Sequence, residues 1–504
     1  MQQLDRLLNG ITMYRVVFYG LLFLVTLGTL WCFVGILPFS GFAIIGTSLL
    51  LLGLCWSANR LFARIFRRPA HDDSAYITAL ILTLIVPPYQ TPADLRFLLL
   101  VPILAIAGKH IVAVRRQHLF NPAAFAVVIA ALIVGRSANW WVGNAAMFPA
   151  VLLVGILIIH KQRRWDVVAA FLPVALLTTT MPGVLRGFSL PSALASAVVY
   201  APLFFFASVM LTEPFTLPPT RRLRMLFGVV VALLLSPQAH VGSIFSTPEL
   251  ALIAGNGLFA FFSGRGRAIL RFRFKRQIAH QITEFVFDGP LPDYRPGQYF
   301  EWMVPHRRPD SRGIRRYFTI ASSPTEGDVR LGVKIFSNGS SFKRALQALQ
   351  PGQTVLAEQR DGDFILPRDP NAKLAFLAGG IGVTPFRSII KYLLDTHARR
   401  SILLLYACQT VGDIAYRDVF DQAERELDIR TMYVLSDTKA APRDWKGPTG
   451  YITADIIRTY IPDFAERRFY LSGPQAMVSS YIGVLGSLDI PRRKIMTDYF
   501  PGFA

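Results

Sequence analysis

The distribution of apolar residues constrains this chain more than any other feature. Ten apolar segments occur before residue 263, and the later sequence lacks such runs; the segments are 11–35, 41–59, 75–88, 95–113, 120–135, 144–160, 166–181, 193–210, 222–236 and 248–263. Segments of this kind are typical of membrane-crossing helices. The 504 residues are 52% apolar and only 17% charged, a composition that fits a partly membrane-embedded protein. We therefore predict an all-α transmembrane domain of ten helices in residues 1–263.

The basic residues of this domain predict its orientation. If the N-terminus is cytoplasmic, fifteen Lys and Arg residues fall on the cytoplasmic side: Arg6, Arg15, Arg60, Arg64, Arg67, Arg68, Lys109, Arg115, Arg116, Lys161, Arg163, Arg164, Arg221, Arg222 and Arg224. The opposite side has three: Arg96, Arg136 and Arg186. This is the positive-inside pattern. It predicts a multi-pass protein of the bacterial inner membrane, in contact with lipid, with both termini cytoplasmic. The sequence has no stripe of basic residues beside a helix that could contact nucleic-acid bases, so we expect no nucleic-acid partner.

A weak internal repeat relates the two halves of this domain. Residues 80–88 of the third segment and 210–219 of the eighth both end in paired prolines. Residues 120–122 of the fifth and 255–257 of the tenth both contain asparagine. This matching gives two inverted five-helix repeats, and interrupted helices at matching positions point to a site near the middle of the membrane. The alternative is a chance pair of prolines. The residues predicted to line the site are Pro87, Asn121, Thr212, Pro214 and Asn256.

Two motifs carry a family resemblance. The sequence Phe-Asn-Pro-Ala-Ala at 120–124 resembles an element of the B-subunit of the sodium-pumping NADH:quinone reductase and of the D-subunit of the Rnf complex, and 206–214 resembles their Met-Ala-Thr-Asp-Pro element. The resemblance implies ten helices and a flavin held near the membrane. The threonine motif that binds FMN covalently in that family is missing here. The resemblance thus implies a non-covalent flavin, FMN or riboflavin, or a quinone, with Asn121 and Thr212 among its contacts.

Glu213 lies within the second interrupted segment. A carboxylate inside a membrane is a functional candidate because burying it without a partner is costly. The alternative is that Glu213 lies near the cytoplasmic end of its segment and pairs with Arg221 or Arg222. The sequence alone leaves both interpretations open.

Residues 264–369 predict an antiparallel β-barrel that binds FAD. Alternating Ile, Val and Phe runs are separated by Gly and Pro turns, as in small barrels. The strand around residues 316–319 has the groups that a flavin requires: Arg316 for the diphosphate, Phe318 for the isoalloxazine ring and Thr319 for its reactive edge, with Tyr317 between them. Further along, Ser340 and Ser341 would begin a helix and present N–H groups to a phosphate. The alternative there is a simple helix N-cap.

Residues 370–504 predict an α/β, Rossmann-like domain that binds NAD(P). The apolar strand 374–378 runs directly into a glycine-rich turn and an amphipathic helix. Glycines at such a turn let the backbone approach a dinucleotide diphosphate. The candidate residues are Gly379, Gly380, Gly382, Thr384 and Pro385. Apolar strands at 401–407 and 469–472 complete the pattern.

The order of these motifs resembles the ferredoxin–NADP reductase superfamily over residues 266–504. The resemblance implies that Thr384 and the glycines hold NADH or NADPH, and that Gly473 and Pro474 place the nicotinamide. Ser472 stands where many members have cysteine. The residues implied to act at the reacting atoms are Thr319, Ser472, Tyr499 and Phe500, the last two because the family places a C-terminal aromatic over the flavin. Gln409 stands where NADPH-selective relatives often have arginine, which favours NADH, although Arg417 is near in sequence.

The sequence thus predicts an FAD-dependent NAD(P)H oxidoreductase. Electrons would pass through FAD into the membrane domain, and on to a quinone or an extracytoplasmic redox protein. One alternative is a haem-containing transmembrane ferric reductase or oxidase, which needs paired histidines on facing helices; the membrane half has only His71, His110, His118, His160 and His240. Another is a transporter regulated by redox state. Three cysteines cannot form an all-cysteine iron–sulfur cluster, and we predict no metal site.

Overall fold

The computed structural model describes residues 8, 11–66, 72–114, 117–200, 202–260, 262, 268–307, 309–310, 313–336 and 339–498. The chain divides into two compact units, Met1–Arg265 and Gly266–Ala504. Five of the basic residues used to predict orientation lie outside the described residues: Arg6, Arg67, Arg68, Arg115 and Arg116. His71, Tyr499 and Phe500 also lie outside them.

The first unit is built from helices. They are α1 Met13–Phe33, α2 Gly41–Ile65, α3 Asp72–Ile85, α4 Pro92–Ile111, α5 Pro122–Val134, α6 Phe148–Gln162, α7 Trp165–Leu185, α8 Leu190–Ala195, α9 Leu203–Phe205, α10 Arg221–Leu234 and α11 Pro248–Ala260. The π-helical turns Ser196–Tyr200 and Phe206–Met210 extend α8 and α9. Two short antiparallel hairpins, β1 Ala113–Val114 with β2 Gln117–His118 and β3 His240–Val241 with β4 Ile244–Phe245, join helices.

Three helices in the described part of this unit are long and apolar enough to cross a bilayer: α1, α2 and α7. A fourth span is present if the bent pair Leu190–Tyr200 and Leu203–Met210, with 52° between its parts, is counted as one. Helices α5 and α6 are apolar but have 13 and 15 residues, which at 1.5 Å per residue is about 20 Å. A domain of ten membrane-crossing helices is therefore not established by helix length and composition.

The second unit begins with a curled antiparallel sheet of six strands. They are β5 Ala268–Ala279, β6 Ile282–Asp288, β7 Tyr299–Met303, β8 Arg315–Thr319, β9 Val329–Lys334 and β10 Thr354–Asp361, in the order β8-β7-β10-β5-β6-β9. The two end strands approach each other, since the N–H of Ala321, just after β8, donates to the carbonyl of Arg330 in β9 (2.9 Å). Buried aromatic side chains such as Phe285, Phe300 and Trp302 fill the interior, and α12 Ser341–Gln347 packs there through Phe342.

A parallel sheet of five strands follows. Its strands are β11 Leu374–Gly379, β12 Ile402–Cys408, β13 Arg430–Leu435, β14 Arg468–Ser472 and β15 Ile495–Asp498, in the order β13-β12-β11-β14-β15. The helices are α13 Thr384–Asp395, α14 Arg417–Leu427, α15 Ala454–Tyr460 and α16 Gln475–Ser487. All six residues of β11 are buried, as expected for a central parallel strand covered on both faces. The strand order reverses direction at β11, and ligands of such sheets bind where that occurs.

Candidate functional site

Strand β8 is the predicted flavin strand, and its side chains alternate between two faces. The Arg316 guanidinium lies 5.4 Å from the ring centre of Phe342, and the rings of Phe318 and Phe342 are 5.8 Å apart. Tyr317 lies on the other face, where its hydroxyl donates to Oε1 of Gln359 (3.2 Å). The structure thus brings Arg316 and Phe318 together and separates Tyr317 from them.

A carboxylate lies between the two groups predicted to hold a diphosphate. One oxygen of Asp310 accepts the backbone N–H of Ser341 (2.9 Å), and the Ser341 hydroxyl accepts the N–H of Asp310 (2.9 Å). The other carboxylate oxygen is 4.0 Å from Nη2 of Arg316. Arg316 and Ser341 therefore already accommodate an anionic group between them, which is the arrangement that a diphosphate needs. Sequence reasoning missed Asp310 because nothing nearby marks it.

Ser340 has a different role from Ser341. Its hydroxyl accepts the N–H of Lys343 (3.4 Å) and so caps α12. This is the N-cap interpretation that the sequence left open. The two predicted phosphate serines are therefore distinguished by the structure, and Ser341 is the one that lies beside the anionic group.

The predicted dinucleotide turn has the expected local structure. Strand β11 leads into the short turn Gly380–Val383 and then into α13, which begins at Thr384. Gly380 has a φ of +52°, which favours glycine, and the described residues leave open the space that a side chain there would fill. The Thr384 hydroxyl donates to the Ile381 carbonyl (3.2 Å). Pro385 lies in the first turn of the helix, where its missing N–H is not needed.

Gly382 is required for packing within the protein. A Cβ there would lie 2.5 Å from Cα of Gly473 and 2.6 Å from the carbonyl oxygen of Ser472. A Cβ at Gly379 would meet Sδ of Met477 at 2.0 Å, a contact that a flexible side chain can relieve. The backbone contacts at Gly382 cannot be relieved in this way. Gly382 therefore holds the glycine turn against the predicted nicotinamide residues, whereas Gly380 faces the open space.

The carboxyl ends of the parallel strands gather the predicted reacting residues. Ser472 ends β14, paired with Ala378 of β11 on one side and Asp498 of β15 on the other. The Thr319 hydroxyl, at the end of β8, donates to Oδ2 of Asp498 (3.2 Å). The end of the flavin strand thus meets the edge of the parallel sheet where dinucleotides bind in such folds.

Asp498 is absent from the residues predicted from the sequence. Its only signal is its place immediately before Tyr499 and Phe500, which lie outside the described residues. Gly473 and Pro474 follow the end of β14 and lead into α16. These two predicted nicotinamide residues therefore lie at the same edge of the sheet as Asp498.

In the first unit, the asparagines of the two matching segments are in contact. The backbone N–H of Asn121 donates to Oδ1 of Asn256 (3.0 Å), and its side chain donates to Glu213 (2.8 Å). The Asn121 side-chain oxygen also caps α5 by accepting the N–H of Ala124 (3.1 Å). The second oxygen of Glu213 is 3.0 Å from Nε2 of His118. Glu213 is therefore part of a polar cluster with His118 and the two asparagines.

The other residues predicted for this site differ in what they contact. The Thr212 hydroxyl donates to the Ser208 carbonyl (2.6 Å) and so satisfies its own helix. Pro87 follows α3, whose last carbonyls accept backbone hydrogen bonds from Asn139, Trp140 and Val142. Nδ2 of Asn256 is buried and has no hydrogen-bond partner among the described residues. Of this set, Asn256 alone offers a buried donor to a ligand.

Family comparisons match both halves of the second unit. Residues 269–364 match the family described as the oxidoreductase FAD-binding domain, and residues 376–482 match the oxidoreductase NAD-binding domain. The second unit carries an FAD-binding and an NAD-binding oxidoreductase domain. The prediction of an FAD-dependent NAD(P)H oxidoreductase is thereby confirmed for this part of the chain.

Curated relatives agree with this assignment. A flavohemoprotein of Deinococcus radiodurans is 27% identical over 47% of this chain and 60% of its own length. The F-subunit of the Na(+)-translocating NADH-quinone reductase of Yersinia pestis is 31% identical over 37% of this chain and 49% of its own. An NADH-cytochrome b5 reductase 1 of Ajellomyces capsulatus is 29% identical over 46% of this chain and 79% of its own. The chain spans about half to three fifths of the length of the first two relatives. The resemblance of the first unit to membrane subunits of the sodium-pumping reductase and the Rnf complex stays a prediction.

Proposed function

We propose that the chain is a membrane-bound enzyme that oxidises NAD(P)H and passes the electrons through FAD to an acceptor reached from the membrane. The observation that carries this proposal is the meeting of Thr319, at the end of the flavin strand, with Asp498 at the carboxyl edge of the parallel sheet (3.2 Å). Two cofactors bound by these two domains would have their reacting ends at this meeting point. A bound FAD supplies the chemistry, since it accepts a hydride and releases electrons singly.

The residues of the chain have separate tasks in this proposal. Arg316 and Ser341 bind the diphosphate of FAD, and Phe318 packs against its ring. The Thr319 hydroxyl donates its proton to Asp498, so its oxygen would face the edge of the ring as a hydrogen-bond acceptor. Because Asp498 is only 8% exposed, water has little access to that hydrogen bond. Binding of the diphosphate requires that Asp310 move away from Arg316, since the two anions would repel.

The dinucleotide binds at the opposite side of this meeting point. Gly380 admits the diphosphate, and Thr384 supplies its backbone N–H at the start of α13. The nicotinamide packs against Ser472, Gly473 and Pro474. We propose NADH as the preferred donor, because Gln409 follows β12 without the positive charge that a 2′-phosphate would need.

The first unit is proposed to be a multi-pass domain of ten helices in two inverted repeats. An ion pair and a hydrogen bond between helix ends support this topology, which is predicted from the alternation of basic residues between the two sides of the membrane. Asp72, at the start of α3, pairs with Arg60 (2.5 Å) near the end of α2, and Ser74 accepts from Lys109 (2.9 Å) near the end of α4. These helix ends therefore lie on one side, as antiparallel neighbours require.

The other end of α4 supports this orientation. Asp94, in the first turn of α4, lies 3.5 Å from Arg136, which follows α5. Arg136 is one of the three basic residues predicted for the extracytoplasmic side, whereas Lys109 belongs to the cytoplasmic set. The two ends of α4 thus carry residues from the two predicted sides, and the second unit would lie in the cytoplasm.

We propose further that the polar cluster of the first unit binds a second redox group, either a non-covalent flavin or a quinone. The buried Nδ2 of Asn256 supports this, because a flavin or quinone carbonyl would accept its hydrogen bond. Asn121 and Glu213 lie beside it. In the competing interpretation these side chains only satisfy the backbone groups of interrupted helices. The capping bond of Asn121 and the bond from Thr212 to the Ser208 carbonyl favour that interpretation.

The haem alternative is less well supported by the histidines in the described part of the first unit. His110 packs against the rings of Phe62 and Phe66 at centroid separations of 5.8 and 5.6 Å. His118 pairs with Glu213, and His240 lies in an exposed hairpin. These three histidines contact different groups, and none of these contacts joins one histidine to another, whereas haem needs two as axial ligands.

The test is to purify the full chain in detergent, extract its flavins under denaturing conditions and offer it NADH, NADPH and a series of acceptors. The expected result is one FAD per chain with a second flavin or quinone, and reduction of a quinone by NADH. A preparation with one FAD and no second group would contradict the proposed membrane site. A protein that binds FAD but reduces only soluble acceptors would contradict electron transfer into the membrane unit.

A further inference from the structure

The FAD and NAD domains are joined by a buried ion pair. The Arg387 guanidinium, in the first turn of α13, donates to both carboxylate oxygens of Glu326, through Nη1 and through Nη2 (2.8 Å). Nη1 also donates to the carbonyl of Ala321 (3.0 Å), which lies two residues after Thr319. Arg387 is 3% exposed, so this forked pair is shielded from solvent and has a fixed geometry.

A second bond parallels the ion pair. The hydroxyl of Ser388 donates to the carbonyl of Ser322 (2.6 Å), and the hydroxyl of Tyr294 donates to the same carbonyl (3.1 Å). The carboxylate of Glu326 also accepts the N–H of Ser323 (2.7 Å). The segment after the flavin strand is therefore held from both domains at once.

Gly332 provides a third contact, by close approach. It lies in β9 of the flavin domain, and a Cβ there would be 2.9 Å from Cγ2 of Thr384 and 3.1 Å from Cδ1 of Ile381. The same Cβ would be 2.6 Å from the hydroxyl oxygen of Tyr416. The side chains of the dinucleotide turn thus pack directly on the backbone at Gly332, and a side chain at residue 332 would require them and Tyr416 to shift.

Tyr416 completes this interface. It adopts a φ of +59°, a conformation that is strained for a residue with a side chain and persists only when its surroundings fix it. Its ring lies 5.6 Å from the Arg387 guanidinium. Burial raises the pKa of its hydroxyl well above the ordinary value, and the neighbouring Glu284 raises it further. The Tyr416 side chain is therefore uncharged and buried, and its hydroxyl lies beside Gly332 in the contact between the two domains.

We infer that Arg387 and Gly332 are positioning residues, which set the separation between the flavin strand and the dinucleotide turn. They touch neither proposed cofactor in this account, which rests on the proposed function. Arg387 joins α13 to Ala321 and Glu326, in the segment after the flavin strand. Gly332 lets β9 lie close to Ile381 and Thr384 of the dinucleotide turn. Small changes in donor–acceptor separation change a transfer rate strongly, and a misplacement of about 1 Å costs about 100-fold.

The test uses Gly332→Ala and Arg387→Lys in the full chain, with Gly327→Ala as the matched control. Gly327 is exposed, and a Cβ there would meet no described atom within 4 Å. Arg387→Lys keeps the charge but cannot donate to two oxygens in a fork. Spin labels at Gln347→Cys and Glu424→Cys, on exposed faces of the two domains, report the distance between the domains without cofactors. Rapid mixing with NADH reports flavin reduction.

The expected result is a broader or longer distance distribution for both variants, slower flavin reduction by about 10- to 100-fold, and unchanged Kd for NADH and FAD. The control should match the wild type in both measurements. Unchanged distances together with an unchanged rate would overturn the inference. So would a changed distance with the wild-type rate, or a slower rate with the wild-type distance. If the wild type itself shows no flavin reduction by NADH, the proposed function fails, whereas the distances still decide whether these contacts hold the domains.

Discussion

Arg316 is the residue on which flavin binding depends most in this account. Arg316→Ala removes the fork that would pair with the diphosphate, and we expect FAD occupancy after purification to fall by about 10-fold or more, because charge-assisted bonds contribute about 1.5–3 kcal/mol. The matched control is Arg271→Ala, which removes an exposed arginine from β5 of the same domain. Full FAD occupancy in the Arg316 variant, or equal loss in both, would contradict the assignment.

The preference for NADH is also a property of single residues. Gln409→Arg would add a positive charge after the carboxyl end of β12, where the ribose of a dinucleotide lies in such folds. We expect kcat/KM for NADPH to rise by about fivefold relative to NADH, since an exposed charge pair contributes about 1 kcal/mol. Arg417, at the start of the next helix, is 58% exposed at its side chain and provides the comparison, because Arg417→Gln should leave the preference unchanged. A wild type that prefers NADPH would contradict the proposal.

At this scale the sequence predicts residues that lie within continuous motifs and misses those that arrive from elsewhere. The sequence predicts Arg316, Phe318 and the glycine turn because each lies within a single strand or a single turn. Asp498 was not, since its bond to Thr319 spans 179 residues and only the folded β15 brings them together. Asp310 was missed for a similar reason, because it meets Ser341 across a loop and a helix start.

At the scale of elements, the start of β14 is held by an ion-pair cluster whose strength depends on pH. Asp463 accepts from Arg467 (2.5 and 3.0 Å) and lies 3.2 Å from Lys373. Although partial burial raises the pKa of Asp463, the bonds from Arg467 and Lys373 outweigh it and lower the pKa below its ordinary value. A carboxylate with a lowered pKa stabilises the fold above its unfolded value, about pH 3.9, and loses that contribution as pH falls through the folded value.

Asp463→Asn tests this dependence. Near pH 7 we expect the amides of β14 to exchange hydrogen about two- to fivefold faster in the variant, for a contribution of about 0.5–1 kcal/mol. The difference should shrink as pH falls below about 4 and disappear below the lowered pKa of Asp463, where the folded wild-type carboxylate is also protonated. Hydrogen exchange of peptides covering residues 468–472 measures it. A difference that persists unchanged in acid would show that packing, and not charge, is responsible.

The elements themselves were predictable to different degrees in the two units. The strands of the second unit alternate or are continuously apolar between glycine and proline turns, so β8, β11 and the glycine turn follow from pattern. In the first unit the number of membrane-crossing helices does not follow as directly. Helices such as α5, with 13 residues, are apolar all round, and apolar composition cannot distinguish a short buried helix from a span.

At the scale of the whole molecule, the proposal joins an oxidoreductase unit to a helical unit that contains a polar cluster. Asn256→Leu tests whether that cluster binds a redox group, since it removes the buried Nδ2 donor with little change in volume. We expect the second flavin or quinone to be lost while FAD remains. Asn144→Leu, which removes a half-buried asparagine of the same unit, is the control. Retention of the second group in the Asn256 variant would leave the cluster with a purely structural role.

The most direct test of the central claim is anaerobic titration of the purified full chain with NADH, followed by flavin absorbance and by quantitation of extracted FAD. We expect non-covalently bound FAD whose absorbance bleaches when NADH is added. The absorbance should recover when a quinone is added in the absence of oxygen. A chain that binds no FAD, or whose FAD is reduced by neither NADH nor NADPH, would contradict the central claim.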